Sequence, residues 1–244
     1  MQGTFRRLAS TGLMSMAIAG SVLIAVNPAL ALTEQEILDK LAGIPVFLIV
    51  NGEGQSLTAS VGAEDEQVNV PIVFIDSEEA EGFLTEAENE GSEIANDANI
   101  VVYPLGEIYA EANSQLDGLE SLVYIPSAVS VQQASQIAEQ DVQGVPLYAA
   151  IDLEREQYLL TGDNTLPMFF SLADLQSQVS VLVEENPAIG EAIGVEVTTL
   201  ESLLVNMEAD DDDRDRILEL VEFVPSSETL QFIESLSEGA EASE

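Results

Sequence analysis

The strongest constraint on this chain's fold is that its apolar pattern is repeated. Gly43-Ile44-Pro45-Val46-Phe47 returns about 100 residues later as Gly144-Val145-Pro146-Leu147-Tyr148. Val70-Pro71-Ile72-Val73-Phe74 is echoed by Leu166-Pro167-Met168-Phe169-Phe170, and Val102, Leu105 and Ile108 by Val197, Leu200 and Leu203. Leu122-Val123-Tyr124-Ile125-Pro126-Ser127 then matches Val221-Glu222-Phe223-Val224-Pro225-Ser226, with the acidic run Asp210-Asp211-Asp212-Asp213 reading as a loop insertion in the second copy. Two copies of one short plan imply two equivalent lobes and equivalent concave surfaces.

Within each copy the local signals alternate between strand and helix. Val46 to Val50 is rich in β-branched residues and ends at Asn51-Gly52, a hairpin signal, with Ser56 to Val61 as its partner. Val70 to Ile75 is almost uninterruptedly apolar, as expected of a strand covered on both faces. Asp76 with Glu79, Ser130 with Gln133, and Thr33 with Glu36 have the spacing of capping boxes that open helices. Ile100 to Tyr103 and Leu122 to Ile125 complete the strands, separated by a helical stretch from Glu107 to Ser114. Pro45, Pro71, Pro146 and Pro167 are placed at strand starts, where no ladder N–H is needed. The expected class is α/β (α+β): two pseudo-symmetric repeats, each a mixed β-sheet flanked by helices. With no Pro/Gly/Ser-rich linker between Gln140 and Gly144, the repeats at 32–140 and 141–244 are expected to fuse into one two-lobed body, followed by a disordered acidic tail from about residue 237.

The amino terminus carries a different message. Arg6 and Arg7 precede an apolar run from Leu13 to Val26, and Pro28-Ala29-Leu30-Ala31 supplies an Ala-x-Ala site, so residues 1–31 read as a cleaved, Sec-type secretory signal. Thr4-Phe5-Arg6-Arg7-Leu8-Ala9 lacks a convincing twin-arginine surround. No later apolar run is long enough to cross a bilayer, so no stable membrane insertion is expected. The absence of cysteine excludes disulfides and thiol chemistry.

The formal net charge of −39 repels nucleic acid and anionic lipid headgroups. Adaptation to a salty exterior and capture of a basic partner both account for it. No histidine is present, Lys40 is the sole lysine, and Gly52-Glu53-Gly54 is too short for a phosphate loop, so catalytic residues, metal and cofactor are all expected to be none. Paired carboxylates are unavoidable among 45 acids and carry no acid–base argument by themselves. Asp210 to Asp213 with Asp215 lack the glycine and terminal glutamate spacing of an EF-hand, which favours a solvated loop over a calcium site.

The ordered pieces Leu41-Ala42-Gly43-Ile44-Pro45-Val46-Phe47, Val70-Pro71-Ile72-Val73-Phe74, Gly144-Val145-Pro146-Leu147-Tyr148 and Leu166-Pro167-Met168-Phe169-Phe170-Ser171 resemble the twenty-two-kilodalton subunit family of the chloroplast Tic translocon, in its cyanobacterial form. The resemblance runs from about Leu38 to Leu236 and lies in order and spacing. It implies a soluble chaperone or transport factor between two membranes. In plastids it would assist preprotein import; in a cyanobacterium it would act in the periplasm, on unfolded or transiting envelope proteins and with the outer-membrane barrel-assembly pore. The same export signal could reach the thylakoid lumen.

A chaperone needs exposed apolar surface ringed by charge. Met168, Phe169 and Phe170, with their counterparts Val73 and Phe74, are the candidate client contacts, and Tyr109, Leu203 and Leu204 the candidate groove wall. Core packing is the competing role for these residues. The functional alternatives are a structural adaptor bound stably to an envelope assembly complex and a carboxylate enzyme.

Overall fold

The computed structural model describes residues 32–62, 67–95, 97–115, 122–187, 190, 192–209 and 216–241. The leader and the acidic run from Asp210 to Asp213 with Asp215 lie outside the described residues.

The chain opens on α1 (Glu34–Leu41), where Thr33 Oγ1 accepts from Glu36 N and Glu36 Oε2 accepts from Thr33 N, forming the expected capping box. Those bonds from Thr33 hold the Glu36 carboxyl below its ordinary range. Next come β1 (Pro45–Val50), β2 (Thr58–Val61) and β3 (Val68–Phe74), then α2 (Ser77–Asn89), β4 (Asn99–Pro104), α3 (Leu105–Gln115), β5 (Val123–Ile125) and α4 (Ala128–Ala138). The second copy supplies β6 (Pro146–Asp152), β7 (Gln157–Tyr158), β8 (Leu166–Phe169), α5 (Leu172–Glu185), β9 (Ile193–Thr199), α6 (Leu200–Glu208), β10 (Val221–Val224) and α7 (Ser227–Glu241).

Among the described residues the strands form two five-stranded mixed sheets. In the first, β1 lies antiparallel between β3 and β4, and β5 runs parallel on β3. In the second, β6 lies antiparallel between β8 and β9, and β10 runs parallel on β8. Single backbone bonds match as well: Leu105 N donates to Ile44 O at 2.8 Å, and Leu200 N to Val145 O at 2.9 Å. Val102 opposes Phe47 just as Val197 opposes Tyr148, in line with the sequence pairing of these segments.

Register corrects the correspondence elsewhere. Phe74 opposes both Phe47 and Ile125, while Phe169 opposes both Tyr148 and Val224, so Phe74 corresponds to Phe169 and not to Phe170. Matching proline to proline therefore slips the two segments by one residue. A one-residue slip in a strand exchanges its faces. Pro71 is inside β3 instead of at its start, at the place where β3 changes partner: Val68 to Pro71 pair with β2 and Ile72 to Phe74 with β5. A missing N–H is tolerated at such a change of ladder.

Two capping expectations also change. Asp76 caps α2 by accepting from Glu78 N, but Glu79 reaches away to accept from Ala128 N at 2.8 Å, at the start of α4. Ser127 occupies the N-cap position of α4, and Ser130 lies buried in its first turn. The expected disordered tail from 237 is instead helical backbone, because α7 runs unbroken to Glu241. A helix already nucleated upstream extends at little cost.

The core decides the architecture. One cluster joins the halves: Leu41, Ile44 and Leu105 from the first pack with Leu147, Leu166 and Leu200 from the second. The outer faces of the sheets are covered by exchange. Ala134 of α4 packs with Tyr148, Ala150 and Phe169 on the second sheet and with Leu175 of α5, while Phe232 of α7 packs with Phe47, Ile49 and Phe74 on the first. Each closing helix thus lies on the other half's sheet.

Candidate functional site

The residues expected to line a client groove lie inside the core. Val73, Met168, Phe170, Tyr109, Leu203 and Leu204 all belong to the cluster between the halves, whereas Phe74 and Phe169 lie under the covering helices of the first and second sheet respectively. The most exposed of them, Phe170 and Leu203, are 7% exposed. The physical reason is that both faces of each sheet are covered, so an apolar strand run has no free side to offer.

A polar inclusion sits in the shared core. The Tyr109 hydroxyl donates to Glu208 Oε1 across the halves, and burial holds its phenol well above the ordinary tyrosine value. Tyr124 is raised still more by burial, and its hydroxyl is buried without a hydrogen-bond partner among the described residues. Lys40 joins the halves at a second point. Its Nζ donates to Glu219 O at 2.8 Å and Val221 O at 2.9 Å, fixing α1 to the start of β10, and desolvation holds its pKa below the ordinary lysine value.

Between the halves lies a cleft of about 230 Å³, lined by corresponding residues: Ile44 with Val145, Ile75 with Phe170, Ser127 with Ser226. It opens at the carboxyl ends of β3, β5, β8 and β10, where α2, α4, α5 and α7 begin. Four first turns would present unpaired N–H groups and positive dipole ends. The protein supplies its own anions to three of them: Asp76 Oδ1 accepts from Glu78 N in α2, Glu79 Oε1 from Ala128 N in α4, and Asp174 Oδ2 from Ser227 N in α7, each at 2.8 Å. Glu79 and Asp174 are thus corresponding carboxylates that cap corresponding helices. Asp76, Glu78 and Glu228 add negative charge to a lining that mixes hydroxyl and apolar side chains. At this volume the cleft admits a side chain or a small solute but not a folded polypeptide segment, since ligand pockets run to about 300–1,000 Å³. Among the described residues, no group of carboxylates is arranged to hold a metal ion.

Apolar surface remains on the covering helices. Phe83 of α2 and Leu230 and Leu236 of α7 are exposed over the first sheet; Val129 and Ile137 of α4 with Val181 and Leu182 of α5 are exposed on the second. The sequence missed these positions because isolated apolar residues on an acidic helix look like ordinary surface. Their only advance signal was exposure itself, which is a tertiary property. Among the described residues no helix is long and apolar enough to cross a membrane.

Two equivalently wired mixed sheets, one shared core and exchanged closing helices define a two-lobed α/β protein whose features are surfaces and a small cleft. The chain belongs to the Tic22-like family, whose model matches residues 7–235. It is 22% identical over 191 residues to Protein TIC 22, chloroplastic, of Pisum sativum, covering 75% of this chain and 71% of the pea protein. Among solved structures it is similar to Anabaena Tic22, described as protein transport, at a TM-score of 0.66 and 22% identity, covering 84% of this chain and 97% of the other. Tic22 from Plasmodium falciparum superposes at a TM-score of 0.60 with 23% identity, covering 83% of this chain and 98% of that one.

Proposed function

We propose that the chain is a protein-transport factor, a soluble chaperone of the periplasm that holds unfolded envelope proteins in transit and assists translocation and outer-membrane protein biogenesis with the barrel-assembly pore. The carrying observation is membership of the Tic22-like family over residues 7–235, together with the transport description of the Anabaena relative. The leader at 1–31 supports export to the periplasm, or to the thylakoid lumen. The client surface in this reading is the exposed apolar set on α2, α4, α5 and α7, ringed by carboxylates that keep a loaded complex dissolved. The chain acts by binding and not by catalysis: it contains no histidine or cysteine, and the polar side chains lining the cleft are hydroxyls, carboxylates and the Gln133 amide.

The test is whether purified residues 32–244 keep an unfolded outer-membrane barrel protein soluble at stoichiometric ratio, at low and at high salt. Apolar capture predicts protection at both, because screening leaves burial intact. Absence of protection at either salt removes the chaperone reading. Salt-sensitive binding to the folded assembly pore in its place would assign a structural adaptor.

A further inference from the structure

The exchanged closing helices occupy corresponding places but are held differently. α4 is fixed to the second sheet by buried polar bonds: the Tyr148 hydroxyl donates to Ser130 O at 2.6 Å, and Ser130 Oγ donates to Phe170 O at 3.1 Å. Ala134, fully buried, brings that helix close to the sheet. At the corresponding place on the first sheet stands Phe47, which has no hydroxyl to donate. The counterpart of Ser130 is Thr229, whose hydroxyl accepts locally from Ser226 Oγ at 2.9 Å. What seats α7 is Phe232, whose ring meets Phe47 edge-on with centroids 5.5 Å apart.

Both helices are clamped at their first turn, α4 by Glu79 and α7 by Asp174. In α7, Asp174 accepts from Ser227 N at 2.8 Å and from Ser227 Oγ at 2.7 Å, clamping the helix start to the second half. Beyond that clamp the helix lies on the first sheet and continues to Glu241.

We infer that α7 is a detachable cover, and that the apolar face beneath it, centred on Phe47, docks an amphipathic helix bearing an aromatic side chain, with α7 as its resident occupant. The face suits such a guest because Phe47, Ile49, Phe74 and Ala80 form a closed apolar cluster into which one ring is inserted edge-on. Rotation about the Asp174 clamp uncovers it without disturbing the core between the halves. As the place where a transiting polypeptide binds, this surface rests on the transport reading; as a cover that opens, it does not.

The experiment uses the full mature chain. Amide hydrogen exchange is followed in α7 and α4 under native conditions. Amides of α7 are expected to exchange about tenfold or more faster than those of α4, through an opening smaller than global unfolding. Phe47→Tyr, which supplies the missing hydroxyl, is expected to slow α7, and Tyr148→Phe to speed α4. A labelled peptide of residues 226–241 is then titrated. It should bind Phe232→Ala about tenfold more tightly than the parent, since the resident helix competes less, and Phe47→Tyr more weakly than the parent. Exchange of α7 only together with α4, or equal peptide binding by all three proteins, overturns the inference. If Phe232→Ala ignores the peptide but dimerises with rising concentration, the guest is α7 of a second copy and the assigned partner is wrong. If α7 opens and takes the peptide while barrel protein is not protected, the transport reading fails and the cover stands. The reverse result places clients elsewhere.

Discussion

Leu204→Ala distinguishes a wall of a client groove from a wall of the core. Leu204 is fully buried in the cluster that joins Leu41 and Leu105 to Leu147 and Leu166. Truncating such a leucine costs its transfer energy and leaves a cavity, about 2–5 kcal/mol in all. Leu204 sits on α6, between elements of both halves that are fixed by their own strand ladders, so collapse around the gap is limited and the upper part of that range is expected. The urea slope rises with chain size, so a chain this long belongs near the top of the range of about 1–3 kcal/mol/M, and the unfolding midpoint should fall by roughly 1–2 M. The chain has no tryptophan but five tyrosines, so tyrosine emission and far-ultraviolet circular dichroism serve as two probes. One core implies one transition, and both probes should shift together. A loss below about 0.5 kcal/mol accompanied by weaker client protection would refute the placement of Leu204 in the core. A split transition would refute the shared core itself.

Lys40→Met should cost about 2 kcal/mol in the same urea assay, because it removes two charge-assisted bonds to Glu219 O and Val221 O, partly offset by relief of desolvation; an unchanged midpoint would show that this contact is dispensable. Gly144→Ala should be destabilising by about 1–3 kcal/mol. The position has φ +94°, and a Cβ would fall 2.5 Å from the Glu201 carboxylate that accepts from Val145 N. Adding Glu201→Ala should recover only the steric part, and full recovery would mean that the left-handed backbone is not strained by alanine. The phenols of Tyr109, Tyr124 and Tyr158 are all raised above the ordinary value of 10, chiefly by burial. A raised folded value means that their contribution is intact below pH 10 and is lost as pH rises through the folded values. Tyrosinate absorbance from these residues should therefore appear together with loss of circular dichroism above pH 10, and ionisation in the native state well before unfolding would contradict it.

What the amino-acid sequence determined was local. The Thr33–Glu36 box, the strand from Pro45, and the pairings of Phe47 with Val102 and of Tyr148 with Val197 depend on propensity, capping and a repeated apolar spacing, all of which act within a few residues of the chain. The two-sheet class and its family followed from the order of those pieces. Three matters were decided only in three dimensions. The register of β3 against β8 slipped by one because proline was matched to proline, whereas strand pairing obeys the face that must be buried. The aromatic run from Met168 to Phe170 went inside because helices cover both faces of its sheet, and no periodicity in a short apolar run tells a doubly covered strand from an open one. The closing helices crossed to the opposite sheets even though Glu79 and Asp174 hold the starts of α4 and α7 to their own halves, because each sheet's outer face is buried by apolar packing against the other half's helix. Long-range burial chooses among positions that local chemistry leaves equal, and that choice placed the exposed apolar residues and the cover over Phe47.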